Sequence, residues 1–182
     1  MTPADPSGAD VRLRPLALDD VDRVMELEDA LFGPGAWSRG AYVEELTSAY
    51  GRTYVAAVVD DDGRERVVGY GGLAAGDEAQ VLTVGVEAAY RRRGIGALLV
   101  DALLSAARTG GARTALLEVR ASDDVAQRLY ARAGFVPIGV RRGYYQAEGE
   151  DAVVMRARLT RTPGPVGSEH TGGGAPPAGS GS

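Results

Sequence analysis

Two places in the chain carry residue types at a spacing that could do chemistry. The first is Arg91-Arg92-Arg93-Gly94-Ile95-Gly96-Ala97-Leu98-Leu99. An apolar, β-branched stretch, Val81 to Val86, precedes it and reads as a strand. Apolar residues at Leu98, Leu99, Ala102, Leu103 and Ala106 follow it with helical spacing. The glycines therefore fall at a strand-to-helix turn, where the first N–H groups of the helix lack intrahelical partners and the positive end of its dipole lies behind them. With no Cβ in the way, a phosphate can come close to that backbone, so the chemistry is anion binding, a pyrophosphate first. A plain tight turn is the structural alternative. A P-loop is excluded because the chain holds no lysine, and a dinucleotide fingerprint lacks its third glycine, with Leu99 in that place.

The second place is the pair Glu118 and Tyr130. Glu118 closes the apolar run Ala115-Leu116-Leu117, and burial tends to raise a carboxyl pKa and make it a better base. A strand glutamate turned to solvent is the alternative. Tyr130 stands on the following helix. A phenol with a pKa of about 10 stays protonated at neutral pH and can serve as a proton donor. An aromatic side chain packed on the sheet is the alternative.

Positioning these groups requires a sizeable fold, and the composition supplies one. The chain has 182 residues, 45% hydrophobic, with a net charge of −5 and no cysteine. That charge argues against general nucleic-acid or anionic-membrane binding, although Arg91 to Arg93 and Arg141-Arg142 form local basic clusters suited to an anionic ligand. Disulfides, thiolate metal sites and a cysteine nucleophile are excluded, and no metal is expected. No apolar run has the ~18 residues of a membrane span, and the N-terminus lacks signal-peptide character, so a cytoplasmic protein is expected.

Along the chain, a strand is expected at Val11 to Arg14, a helix from Asp19 or Asp20 to Leu31, a break at Phe32 to Trp37, and a second helix capped by Ser38. Strands Thr53 to Val59 and Arg66 to Leu73 flank the turn signal Asp60-Asp61-Asp62-Gly63, and a further strand covers Glu78 to Val86. The helix beginning at Ala97 stops near Gly110-Gly111. A strand at Thr114 to Val119 and a helix at Val125 to Ala133, capped from Ser122, Asp123 or Asp124, come next. Two last strands, Phe135 to Val140 and Asp151 to Leu159, are joined by a Gly/Tyr-rich loop. One α/β domain over residues 11–159 follows, with residues 1–10 and the Gly/Pro/Ser-rich residues 160–182 disordered and His170, the only histidine, inert in that tail.

On these residues the chain resembles the GNAT superfamily of N-acetyltransferases over roughly Val11 to Leu159. Arg91, Gly94 and Gly96 match its R-x-x-G-x-G run, and Leu129-Tyr130 and Gly134-Phe135 match its helix-to-strand segment. Leu117-Glu118-Val119-Arg120-Ala121-Ser122, Arg141-Arg142-Gly143-Tyr144-Tyr145 before an acidic loop and Asp151-Ala152, and Pro34, Trp37 and Ser38 are similar to the bacterial ribosomal-protein alanine N-acetyltransferases within it. The resemblance implies a mixed, mostly antiparallel, six- to seven-stranded twisted sheet with helices on both faces, its fourth and fifth strands splayed around acetyl-CoA. It implies that the backbone of Val84, Gly85 and Val86 holds the pantetheine and thioester. The N–H groups of Arg92, Arg93, Gly94, Ile95, Gly96 and Ala97 would hold the pyrophosphate. By the same resemblance Glu118 is the general base and Tyr130 the general acid.

Asp123 stands where the family often has a cofactor-contacting Asn; it cannot donate through an amide, and helix capping suits it better. Tyr144, with Arg141 nearby, and, less so, Tyr145 would line the acceptor channel, a loop folded onto its own core being the alternative; Trp37 would wall the other side or pack in the core. The implied acceptor is the N-terminal alanine of the eighteenth small-subunit ribosomal protein, bound by a monomer. A lysine side chain or small-molecule amine is the first alternative, and a non-catalytic acyl-CoA-binding module the second.

Overall fold

The computed structural model describes residues 10–159. Sequence expectations for residues 1–9 and 160–182, His170 included, lie outside them. In chain order the elements are β1 (Arg12–Pro15), α1 (Val21–Phe32), α2 (Arg39–Thr47), β2 (Arg52–Asp61), β3 (Arg64–Ala74), β4 (Glu78–Val86), α3 (Ile95–Thr109), β5 (Thr114–Arg120), α4 (Asp124–Arg132), β6 (Val136–Tyr145) and β7 (Glu150–Arg158). The strands form one sheet in the order β1-β2-β3-β4-β5-β7-β6, antiparallel throughout except between β4 and β5.

Local chemistry sets these elements. The β2–β3 turn places Asp62 at φ 53° and Gly63 at φ 80°, the left-handed pair that a two-residue hairpin turn needs. Ser38 caps α2 by accepting from Ala41 N–H at 3.1 Å, and Asp123 caps α4 by accepting from Ala126 N–H at 2.9 Å. Gly94, at φ 80°, turns the chain into α3.

The period-two alternation of the strands sends side chains to two helical layers. On β2, Tyr54, Ala56 and Val58 pack with Val21, Val24 and Leu27 of α1 and Tyr42 of α2, whereas Ala57 and Val59 pack with Ile95 and Leu99 of α3. On β5, Ala115, Leu117 and Val119 join the cluster of α3 and α4, which leaves Leu116, Glu118 and Arg120 on the α1/α2 side. Helices thus cover both faces.

Two details of the sheet matter for function. Parallel pairing of β4 with β5 spans only Glu78–Thr114, Ala79–Ala115 and Gln80–Leu116. Just beyond it, β4 carries a bulge: Leu73 of β3 faces Val81 while Gly72 faces Thr83, leaving Leu82 as the extra residue. A bulge bends its strand and increases the local twist. β4 therefore leaves β5, and the sheet opens between Val81–Val86 and Leu117–Arg120. β6 departs from the sequence reading. It runs on through Tyr145, so the segment read as a Gly/Tyr-rich loop is mostly strand. Gly143, at φ 59°, takes the irregularity between Arg141 and Tyr145 and donates its N–H to Asp151 Oδ1 at 2.8 Å, which lets Tyr145 pair with Glu150. α3 also begins two residues earlier than Ala97.

Candidate active site

The opening between β4 and β5 is a cleft of about 150 Å³. Leu82, Thr83 and Val84 line it from β4, Glu118, Val119 and Arg120 from β5, Asp123, Ala126 and Tyr130 from the α4 region. Glu28, Phe32, Gly35 and Trp37 line it from α1 and its following loop, and Tyr145 closes it from β6. A larger hollow of about 470 Å³ lies against β1, β2 and the end of α2 and holds none of the candidate residues. The smaller cleft holds the candidate residues.

Glu118 projects to the α1/α2 face of the sheet and Tyr130 comes from the α4 face. A continuous sheet would keep a carboxylate and a phenol so placed apart. They share one cleft because the sheet is open there. The Glu118 side chain is 9% exposed, accepts from Gln80 Nε2 at 3.1 Å and meets Arg141 Nη1 at 3.3 Å. Gln80 is the last β4 residue paired to β5, so the hydrogen bond lies where the strands part. Burial pushes the Tyr130 phenol above its ordinary value, with the nearby Asp123 and Tyr145 adding to the effect. Its ring packs edge-on to Phe135 at 5.9 Å. Among the described residues its hydroxyl has no hydrogen-bond partner, yet no buried side-chain polar atom is orphaned, so the hydroxyl reaches the cleft space.

Beyond the cleft, the N–H groups of Arg92 to Ala97 donate to no backbone carbonyl among the described residues; the first bond of the turn is Leu98 N–H to Gly94 O at 3.0 Å. Arg92 at φ 63° and Gly94 at φ 80° alternate with their neighbours to aim these amides outward, the geometry of an anion nest. A Cβ on Gly94 would meet nothing within 4 Å, whereas one on Gly96 would come within 3.1 Å of Leu129 Cδ2. Gly94 serves the turn and Gly96 the contact of α3 with α4. Gly85 has a third role: a Cβ there would lie 2.7 Å from the Tyr70 hydroxyl.

The structure gathers Val84, Glu118, Asp123, Tyr130 and Trp37 in the cleft. Asp123 spends one carboxylate oxygen on the α4 cap. Of the two neighbouring tyrosines, Tyr145 lines the cleft, while Tyr144, 43% exposed, stands beside the Arg141 guanidinium at 5.7 Å. Burial raises the Tyr145 phenol to about 12. Sequence reasoning passed over Glu28, Gln80 and Arg120. Glu28 had left a signal, a carboxylate on the stripe of Val21 and Val24. Arg120 stacks on Tyr145 at 4.2 Å, pairs with Glu148 and Glu150 at 3.2 Å each, and abuts Gly35, where a Cβ would lie 3.0 Å from its Nη2. Among the described residues no group of three or more His, Asp or Glu is placed to hold a metal, and no helix is long and apolar enough to cross a membrane.

An opened β4/β5 pair, an anion nest before α3, and a carboxylate and phenol in one cleft define an acyl-CoA-dependent transferase. The model of the acetyltransferase (GNAT) family matches residues 21–135, and the chain belongs to that family. It is an N-acetyltransferase that uses acetyl-CoA. It is 39% identical over 152 residues to the N-alpha-acetyltransferase RimI of Mycobacterium tuberculosis, covering 80% of this chain and 91% of that one. It is 33% identical over 144 residues to a putative [ribosomal protein bS18]-alanine N-acetyltransferase of Bacillus subtilis, covering 79% and 92%. A 39% match to an uncharacterized Mycobacterium leprae protein covers 75% of this chain but 38% of that longer one. The crystal structure of the Escherichia coli ribosomal-protein-S18-alanine N-acetyltransferase shares the fold with a TM-score of 0.71 at 24% identity, over 86% of this chain and 99% of that one.

Proposed function

We propose that this acetyltransferase modifies the α-amino group of a protein N-terminus, with the N-terminal alanine of a small-subunit ribosomal protein as its acceptor. The observation that carries the reading is the convergence of Glu118 and Tyr130 on one cleft, in a chain similar to the RimI enzymes. An α-ammonium has a pKa of about 8, so a fraction is already neutral near pH 7 and one carboxylate suffices to take the proton. Glu118 is the base, directly or through a water. The amine nitrogen then attacks the thioester carbonyl, the C–S bond breaks, and Tyr130 gives its proton to the departing sulfur. The backbone of Val84, Gly85 and Val86, paired to β3 on one side and open on the other, holds the pantetheine arm and thioester. The amides of Arg92, Arg93, Gly94, Ile95, Gly96 and Ala97 take the diphosphate. Asp123 caps α4 at the cofactor side, while Trp37, Arg141 and Tyr144 flank the acceptor's path.

The test is mass spectrometry on three acceptors: an Ala-initiated peptide, an Nα-blocked peptide with an internal lysine, and a small amine. Acetylation of the first alone supports the reading; acetylation of the blocked peptide alone overturns it. The enzyme's lack of lysine keeps its own side-chain amines out of the assay.

A further inference from the structure

Glu28 is the one buried charged residue among the described residues, 1% exposed. Its Oε1 accepts from the hydroxyls of Tyr42 at 2.6 Å and Tyr70 at 2.7 Å, and its Oε2 accepts from Trp37 N–H at 3.0 Å. Every bond runs toward the carboxylate, the acceptor-only pattern of the ionised group. No Arg among the described residues lies within ion-pair distance of it, although Arg side chains pair with ten other carboxylates among those residues, Glu118 included. Burying a carboxylate without a counter-cation costs stability, and replacing such groups with apolar ones is often neutral or better. Stability therefore gives no account of Glu28, whereas its place does. It lines the cleft shared with Glu118 and Tyr130, and it grips two parts of it. Through Trp37 N–H it fixes the loop between α1 and α2. Through Tyr70, whose hydroxyl presses on the bare Cα of Gly85, it touches the strand assigned to the thioester.

Resting on the N-terminal acceptor reading above, we propose that Glu28 is an acceptor-positioning residue whose unpaired charge favours an ammonium-bearing N-terminus in the cleft while its Trp37 bond sets the wall that the first residue meets. Glu118 then removes the proton from an amine that Glu28's field has already drawn in. The two carboxylates divide the work, one for binding and one for transfer.

Binding separates these roles. The probes are an Ala-initiated peptide and its des-amino analogue, in which a propanoyl group replaces alanine, each measured by calorimetry on the CoA-loaded enzyme. Wild type should prefer the ammonium form, and Glu28→Gln should shrink that preference by about 10-fold, the scale of a lost charge-assisted interaction. In turnover, Glu28→Gln should raise KM for the peptide with KM for acetyl-CoA and kcat little changed, and Glu28→Asp, which keeps the charge, should recover part of the preference. A purely structural role predicts instead that KM for both substrates and kcat move together. Should Glu28→Gln fail to fold, Glu118→Gln replaces it: its preference for the ammonium form must persist, because Glu28 is intact. Loss of all preference in Glu118→Gln, or an unchanged preference in Glu28→Gln, overturns the proposal. If wild type binds neither probe yet acetylates another amine, the acceptor reading has failed instead.

Discussion

In the proposed reaction Glu118 and Tyr130 do opposite things to protons at one thioester, and their surroundings differ accordingly. Glu118 keeps two polar neighbours, Gln80 and Arg141, that hold its oxygens in place. Tyr130 has a raised phenol pKa and an unshared hydroxyl, so it remains a donor across the working pH range. Glu118→Gln should lower kcat by ~10²–10⁴-fold near pH 7. Because the amine loses its own proton above a pH of about 8, that deficit should narrow in the alkaline limb of a pH–rate profile. A deficit constant from pH 6.5 to 9 would show that Glu118 does something other than accept the amine's proton. The raised Tyr130 value carries a sign as well: the protonated donor persists as pH rises through the ordinary phenol value, so no basic limb below about pH 10 belongs to it. The sequence pattern alone left both residues open, Glu118 to solvent exposure and Tyr130 to core packing, and the family resemblance singled them out. Glu28 was harder to read. Its meaning depends on Tyr42 and Tyr70, 14 and 42 residues away along the chain, and no local pattern announces that meeting.

Among the elements, β4 decides whether a site exists. Its short pairing to β5 and its bulge at Leu82 create the opening; the family resemblance implied that these strands part, whereas the segment's own pattern reads as one continuous apolar strand. The turn into α3 was visible, since glycines between a strand and a helix have a local meaning. The two glycines nevertheless act differently. Gly94 stands at φ 80° with free space around it, so Gly94→Ala should cost about 1 kcal/mol of backbone strain without a clash. The strain falls on the amides proposed to hold the diphosphate, so KM for acetyl-CoA should rise with KM for the peptide unchanged; equal KM values in mutant and wild type would remove this turn from cofactor binding. Gly96→Ala drives a methyl to 3.1 Å from Leu129 and should be relieved by Leu129→Ala, seen as recovery of Tm in the double variant. Tyr144 and Tyr145 teach the same lesson about reach. Gly143 and the acidic stretch after Tyr145 suggest a loop, but the Asp151 carboxylate and the Tyr145–Glu150 pairing hold the segment to β7 as strand.

For the molecule as a whole, tyrosine placement gives a pH signature. Burial raises the phenols of Tyr42, Tyr54, Tyr70, Tyr130 and Tyr145, the last to about 12. A folded-state value above the unfolded one means that the folded protein binds these protons more tightly. Their contribution is therefore intact below about pH 10 and is lost as pH climbs through the folded values. Denaturation midpoints should stay flat from pH 7 to 9 and fall beyond about 10; a midpoint unchanged at pH 11 would contradict the burial described. The order of elements and the helices on both faces follow from periodicity along the chain, whereas the partner of each strand, and so the cleft, arises from contacts between β4, β5 and β7 that no single segment encodes. The central claim is that this opened sheet brings one acid and one base to the same thioester. The most direct measurement is the single-turnover rate of acetyl transfer to an Ala-initiated peptide by Tyr130→Phe at saturating acetyl-CoA. Proton donation by Tyr130 predicts a rate ~10²–10⁴-fold below wild type with acetyl-CoA affinity unchanged; a rate equal to wild type would rule that role out.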